Sequence, residues 1–554
     1  MLYLFSYLEN GKEKKMRACL TRNSDLSVMA GIAVFAFLCG GGFWVLKSRA
    51  RNHAKDMHAD TDVEEGEDRI SELPDDVVSL IISLLHARDA VRTSIMSRRW
   101  RHAYTFATQV RFSCSHMSNY PRCAADQTWG KLGPFERKLI RAVDTILQHH
   151  SGSKIMSFKL VCCYGVCLSE AFRRWMDSVY KLGVERLIIE PCKDHTQQGK
   201  RPDFSFDLPP EASSLKHLLL KFGSFRTANR NALEILELVC VTLTSEAVEC
   251  LLSNCSSLRS LKFKYCVLPS KLSIRGPDLQ LKSLTVFRCA KVAEVELSAI
   301  NLITLNMCHH RMLILTFSSV PLLRNLLIEI FDSQVMPCVF EKVAKDLPHL
   351  KSMFFYTLAN SFEGCKTARL LDNLSNLRQL DLFLDDRNKL DLLALVTILD
   401  VCPLLHKFHL AVVLPSKFEG KQANSRVVRR HALLKEVEFS GFSGTENECN
   451  FIFHILDKVV SLERLAISVN YRLYDVDYGR WETGNTNPRD DEKKRRIIRR
   501  RLQATFEFWR IIFLHRPYPE IQITEFLVQK TIVPSFVEQV LSQIHEQPSK
   551  TPKT

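Results

Sequence analysis

The sequence is poor in the residue combinations that make or break bonds. No Ser/His/Asp or Cys/His set can be assembled from its spacings alone. The glycines of "CGGGFW" (39–44) lie inside an apolar stretch and are not followed by the Lys-Ser/Thr of a phosphate-cradling loop. "CCYGVC" (162–167), with His149 and His150 nearby, has Cys163 and Cys167 but no second clean pair. Zinc is therefore not expected, and the stretch reads as a buried strand leading into a repeat. The 18 cysteines are too scattered along 554 residues for a small disulfide scaffold, which points to a reducing compartment. The net charge of +15 is clustered, with one cluster in "KKRRIIRRR" (493–501), which leaves a nucleic-acid-binding protein open as an alternative whose signature would be steep salt dependence. No basic groove interleaved with aromatics accompanies it, so nucleic acid is not the expected partner. What is left is a binding scaffold with no catalytic residue, metal or cofactor.

What the sequence does contain is ample core. With 46% hydrophobic and 25% charged residues, the chain can build two or more packed units. Residues 1–56 read as an extension. Within it, "LSVMAGIAVFAFLCGGGFWVL" (26–46) has 21 residues without a charge, long enough at about 1.5 Å per residue to cross a membrane. A transmembrane helix is one reading; a start at Met57, which would delete the segment, is the other. Basic flanks on both sides leave its orientation unset. Residues 57–67 form an acidic, solvated linker.

"ISELPDDVVSLIISLL" (70–85) follows. Pro74 suits a first helical turn, where its missing N–H costs nothing, and Asp75 and Asp76 meet the positive end of the helix dipole. Val77, Ile81, Leu84 and Leu85 form an apolar stripe, and Asp89 can cap a second helix carrying Val91 and Ile95. "SRRWRH" (97–102) closes the unit with Trp100. Together the Leu73-Pro74 start, the isoleucine/leucine run from 80 to 85, the "DAVRTS" step and the "SRRWR" end resemble the F-box over residues 68–101. The resemblance implies a small all-helical module, here 68–110. Its Leu73, Pro74, Ile81, Leu84, Val91 and Trp100 would partly face a Skp-family adaptor protein and so reach the cullin and RING subunits of a ubiquitin ligase.

The remainder is governed by repetition. L-x-x-L-x-L cores begin at Leu233, Leu258, Leu281, Leu302, Leu323, Leu350, Leu377, Leu405, Leu434 and Leu462, with looser copies at Leu215 and Val184. From Leu233 onward the intervals run from 21 to 29 residues, as in leucine-rich repeats. The fourth and sixth positions alternate as a short strand needs, and segments such as "TSEAVECLLSNCSS" (244–257) read as helices on the other face. The expected fold is α/β: the helical module, then a solenoid over 150–430 with parallel strands on its concave face and helices or loops outside. Cys266, Cys289 and Asn470 stand at the ninth repeat position, where a side chain can satisfy turn backbone; they read as structural.

The loose spacing, without Gly-x-Ile-Pro turns, resembles the plant repeats that accompany F-boxes. Residues 433–470 resemble the FBD region that ends many such proteins. The carriers are the strand "KEVEFSGF", the acidic turn "TENE", the helix "FIFHILDKVVSLE" and the strand "RLAISVN", so that 431–470 completes the solenoid. Within 471–540, "KKRRIIRRRLQATFEFWRIIFLHR" (493–516) places Ile498, Leu502, Phe506, Trp509 and Ile512 or Phe513 at helical spacing. A basic amphipathic helix is expected to cap the solenoid there, before a loose tail at 541–554.

The resemblance implies the substrate receptor of an SCF-type ligase, in cytoplasm and/or nucleus, holding an unnamed target near a conjugating enzyme so that proximity raises its effective concentration. Membrane attachment through 26–46 is compatible with it if the F-box faces the cytosol. The alternative is a membrane-anchored repeat protein with no ligase role. For it speak the sequons Asn254-Cys255-Ser256 and Asn373-Leu374-Ser375, which would be glycosylated outside the cytosol.

Overall fold

The leucine spacing decides where the main strands begin. The computed structural model describes residues 73–114, 134–167, 169–192, 204–227, 229, 231–276, 278–309, 313–330, 342–358, 374–385, 392–396, 399, 402–413, 430–475, 480–483, 510–518 and 521–529. The apolar segment 26–46, the linker 57–67 and the tail 541–554 lie outside them. No helix among the described residues is long and apolar enough to cross a membrane. Each strand that follows a repeat start, from Val184 to Leu462, begins two residues after it, and all of those starting side chains are buried.

The chain divides into two units, residues 1–303 with 313–320, and residues 304–312 with 321–554. The first opens with helices α1 (Asp75–Leu84) and α2 (Ala87–Arg92) and the 3-10 turns Thr93–Ile95 and Trp100–Phe106. Then come β1 (Gln109–Ser113), α3 (Pro134–Gln148), β2 (Ser157–Cys162), α4 (Tyr164–Cys167), α5 (Glu170–Lys181) and β3 (Arg186–Pro191). β4 (Ser205–Leu208), β5 (His217–Thr227), β6 (Ile235–Thr242), α6 (Ser245–Asn254) and β7 (Ser260–Lys264) follow. The unit ends with β8 (Lys271–Arg275), β9 (Ser283–Phe287), β10 (Glu294–Ser298) and, beyond β11 (Thr304–His309) of the second unit, β12 (Ile314–Ser319).

β1, β2, β3, β5, β6, β7 and β9 pair in that order, all parallel, and β4 runs parallel to the second half of β5. Parallel neighbours need a crossover, and the crossover's length decides its form. The 25-residue repeat at Leu233 has room for α6, whose N-cap Thr244 accepts the Ala247 N–H at 3.3 Å. The repeats at Leu258, Leu281 and Leu302, only 21 to 23 residues long, carry β8, β10 and β12 instead, joined as a second parallel sheet. A strand advances about 3.3 Å per residue against about 1.5 Å for a helix, so five extended residues span what a three-turn helix would. Helices or loops were the expectation for the outer side, and strands replace them where the repeat is short.

In the second unit β11, β13 (Asn325–Ile330), β14 (Ser352–Leu358), β15 (Gln379–Asp385), β16 (Lys407–Val412), β17 (Glu436–Ser440) and β18 (Arg464–Ser468) form a second parallel ladder. Between β17 and β18 lies α7 (Glu446–Lys458), followed after β18 by the hairpin of β19 (Arg472–Asp475) and β20 (Arg480–Thr483). β21 (Arg510–Tyr518) and β22 (Ile521–Gln529) are antiparallel, and β22 also runs antiparallel to β18. The helix expected over 493–516 is therefore corrected from Arg510 onward, while 493–509 lie outside the described residues. "RIIFLHRPY" has adjacent β-branched residues and a proline near its end, which favour extension, and its partner "IQITEFLVQ" supplies the pairing.

The expected acidic turn "TENE" is the first turn of α7. Thr445 Oγ1 accepts the Glu448 N–H at 3.3 Å, and Glu448 Oε2 accepts the N–H groups of Thr445 at 2.9 Å and Ser443 at 3.0 Å, a capping box. Glu448 is fully buried, and burial pushes its carboxyl pKa above the ordinary carboxylate value. The sign follows: a carboxyl whose folded pKa is raised stabilises most below its unfolded pKa, and that stability is lost as pH rises through the folded one. Relative to Glu448→Gln, the wild type is expected to lose stability over the range above the ordinary glutamate pKa of about 4.3, whatever the constant offset between the two proteins. Denaturant midpoints of both across that range check it, and parallel profiles would contradict it.

Five repeats share a left-handed step at one position. Phe222, Cys240, Tyr265, Arg288 and Gly441, each the eighth residue of its repeat, have φ of 94°, 56°, 53°, 47° and 79°. At Tyr265, Arg288 and Gly441 this left-handed step follows the last strand residue and lets the next residue turn inward; at Phe222 and Cys240 it interrupts β5 and β6, whose pairing resumes at Gly223 and Val241. Cys266 and Cys289 thereby point their thiols at carbonyls: Cys266 Sγ lies 3.2 Å from Leu238 O and Cys289 Sγ 3.5 Å from Phe263 O, the structural role expected of them.

Candidate functional site

On the helical module, two apolar stripes share α1. Val78 and Ile82 are buried, whereas Val77, Ile81 and Leu84 are half-buried and Leu80 is 57% exposed. The inward stripe is thus offset by one residue from the periodicity that stands out in the sequence. The outward stripe keeps the i, i+3, i+4, i+7 spacing of a helix face that meets something. Pro74 precedes Asp75 as the N-cap residue, and Arg99 Nη2 reaches back to Asp75 Oδ1 at 2.5 Å, tying the module's end to its start. α2 starts at Ala87, two residues before Asp89, so Asp89 lies in its first turn and His86 is the N-cap residue.

Of the six expected adaptor-facing residues, Pro74 and Val91 are exposed and Leu73, Ile81 and Leu84 half-buried. Trp100 is corrected: at 1% exposure it belongs to the interior. A module this small closes its core with its largest ring, alongside Val78, Ile82, Ala87 and Ala90. Sequence reasoning left out Leu80, Ile95, which is 88% exposed, and Phe106. Ile95 lies one helical turn beyond Val91, and that spacing was the available signal.

The outward faces of the ladders are the second surface. In the second unit, Asp381, His409 and Glu438, each the fifth residue of its repeat, lie in one crosswise row. His409 Nε2 is 2.9 Å from Ser440 Oγ and its Nδ1 3.4 Å from Asp381 Oδ1, while Arg472 Nη1 donates to Glu438 Oε1 at 2.8 Å. Spacing alone assembled no Ser/His/Asp set; the register of neighbouring repeats does. Ser440 is wholly enclosed and also lies 3.4 Å from the Arg472 backbone nitrogen. Its hydroxyl links strands where no substrate reaches it. Beside this row a pocket of about 240 Å³ is lined by Asp381, Lys407, His409, Glu438, Arg464 and Arg472.

In the first unit Cys162 Sγ lies 3.2 Å from Cys167, and Cys163 Sγ lies 3.3 Å from Cys192 and 3.7 Å from Cys114, all buried. The Cys162 thiol is held well above its ordinary pKa by its contact with Cys167 and by burial, so it acts as compact apolar fill. Among the described residues, no group of three or more His, Cys, Asp or Glu is arranged to hold a metal ion.

The first unit's face is basic. Its outward strand positions carry Arg111, Lys159, Arg186, Lys221, Lys262 and Lys264 against Glu190 and Glu237. Glu190 sits between Lys159 at 3.5 Å and Lys221 at 3.2 Å, and Glu237 between Lys262 at 3.7 Å and Lys264 at 3.0 Å.

Comparison with known proteins covers both regions of the chain. Residues 70–103 match the F-box domain, and residues 146–494, more than half of the chain, match the At1g61320/AtMIF1 LRR domain. In Arabidopsis thaliana, F-box/LRR-repeat protein At3g03360 is 28% identical over 222 residues, 37% of this chain and 40% of that protein. Putative F-box/LRR-repeat protein At3g58880 is 35% identical over 127 residues, covering 23% of this chain and 26% of its own length. F-box/LRR-repeat protein 25 is 27% identical over 233 residues, covering 40% and 78%. The chain thus spans less than half of the length of the first two relatives.

Proposed function

The chain belongs to the At1g61320/AtMIF1 leucine-rich-repeat family and carries an F-box domain, and from that premise we propose that it is the substrate-recognition subunit of an SCF-type cullin–RING ubiquitin ligase. In this reading the F-box docks on a Skp-family adaptor, which brings the cullin and RING subunits, and the repeats hold the target protein. The observation that carries it is the double stripe of α1: with Val78 and Ile82 filling the module's own core, Leu80, Ile81 and Leu84, joined by Val91 and Ile95, remain as apolar surface for a partner. The role requires the F-box to face the cytosol or nucleus. Ubiquitin transfer is the work of the other subunits, and this chain contributes proximity.

A pull-down of a Skp-family adaptor by the full chain tests the reading, beside the double substitution Leu73→Ala, Pro74→Ala. Capture by the wild type is expected to fall by at least tenfold in the variant. A folded wild-type chain that captures no adaptor would remove the ligase role.

A further inference from the structure

The outward face of the first ladder has a charge pattern that the second lacks. Six cations stand against two carboxylates on β1, β2, β3, the first half of β5, β6 and β7. On the second ladder, Lys407 and Arg464 stand against Glu329, Asp381, Glu436 and Glu438. Side-chain exposure sharpens the difference. Lys159, Lys221 and Lys262 keep 34%, 38% and 36% exposure, and the carboxylates between the lysines, Glu190 and Glu237, only 18% and 19%. The two lysines around Glu190 therefore present positive charge outward with their anion recessed; around Glu237 only Lys262 does so, because Lys264 is itself buried with 6% of its side chain exposed. Between the clusters the face is aliphatic. Lys159, Ile188, Leu219, Glu237 and Lys262 form one crosswise row, and Lys221, Val239 and Lys264 part of the next.

Resting on the ligase reading, we propose that this face takes an acidic segment of the target polypeptide, extended across the strands, whose Asp or Glu side chains at every second residue face the lysines while the residues between them point away from the sheet. The distance from β2 to β7 is four strand spacings, about 19 Å, which matches about six extended residues. A nucleic acid fits less well. Its phosphates would meet Glu190 and Glu237 within the lysine clusters, and the aliphatic positions between give bases no aromatic platform on these strands.

The test uses the full chain and two labelled octapeptides, Glu-Leu-Asp-Val repeated twice and its amide counterpart Gln-Leu-Asn-Val repeated twice, with fluorescence anisotropy as readout. The acidic peptide is expected to bind at least tenfold tighter than the amide one, with a preference that weakens as salt rises. Lys159→Glu with Lys221→Glu is expected to abolish the preference. The milder Lys159→Gln with Lys221→Gln, which adds no repulsion with Glu190, is expected to reduce it three- to tenfold. Arg173→Glu with Lys181→Glu, on exposed positions of α5, is expected to leave it unchanged. Equal binding of the two peptides overturns the proposal. So does tighter binding of a single-stranded oligonucleotide that the same lysine substitutions abolish, which would assign the face to nucleic acid. Adaptor capture by the same variants separates the two readings: capture without peptide preference overturns this surface alone, and preference without capture overturns the ligase role alone.

Discussion

Ile95→Asp and Leu80→Asp are each expected to weaken adaptor capture about 100-fold while leaving thermal unfolding nearly unchanged; Trp100→Ala is expected to abolish both capture and the module's fold. The distinction rests on burial. Ile95 and Leu80 are 88% and 57% exposed, so a carboxylate there meets water in the free chain and is buried only against a partner. Apolar anchors at the centre of an interface are worth about 2 kcal/mol or more, and burying an unpaired charge adds to the loss, so about 100-fold is the right order. Trp100 is interior, and deleting a buried aromatic costs about 3–5 kcal/mol, more than so small a module can spare. Surface plasmon resonance with the adaptor, beside scanning calorimetry, separates the classes. Full adaptor affinity in both aspartate variants would show that this surface does not carry the docking.

Gly441→Ala is expected to destabilise the second unit by about 3 kcal/mol or more, the range reserved for backbone collisions and core disruption. Left-handed φ is not the main reason. Phe222, Cys240, Tyr265 and Arg288 occupy the same repeat position with side chains in place, so the conformation itself costs only about 1–2 kcal/mol. At 441 the neighbouring strand comes closer. A Cβ would stand 1.8 Å from the carbonyl oxygen of Val412 and 2.9 Å from its carbonyl carbon. Both atoms belong to backbone that is paired in the ladder, so neither can swing aside as a flexible side chain would. Hydrogen exchange locates the effect: amides of β16, β17 and β18 are expected to lose protection while those of β2 to β7 keep theirs. An unchanged exchange pattern would mean that the two strands separate at little cost.

The repeat architecture was legible because its signal is local. A leucine every 21 to 29 residues, with apolar fourth and sixth positions, states its own periodicity, and the structure buries those positions at every start from Val184 to Leu462. The earliest ladder strand was harder to see. β1 follows Ala107 rather than a leucine and belongs to the ladder only because β2 pairs with it. Features that depend on which neighbour a residue meets were not legible either. α1 is apolar on adjacent stripes, and no spacing rule says that Val78 rather than Val77 turns inward. The row of Asp381, His409 and Glu438 becomes visible only when repeat starts are superimposed. The C-terminal basic run reads as helix by periodicity, yet Arg510–Tyr518 takes its conformation from β22. In each case tertiary pairing overrode local pattern.

The hairpin of β21 and β22 also bears on how long the second array can be. A stack of parallel strands is open to growth: its last edge matches the first strand of another repeat, or of another molecule, and such edges seed filaments. β22 lies on β18 with reversed polarity, so the position a further parallel strand would take is filled by one pointing the other way. Duplication of a repeat at that end would have to displace the hairpin before it lengthened the ladder. The array is terminated by direction as well as by cover, a stop that insertions between earlier repeats would not disturb.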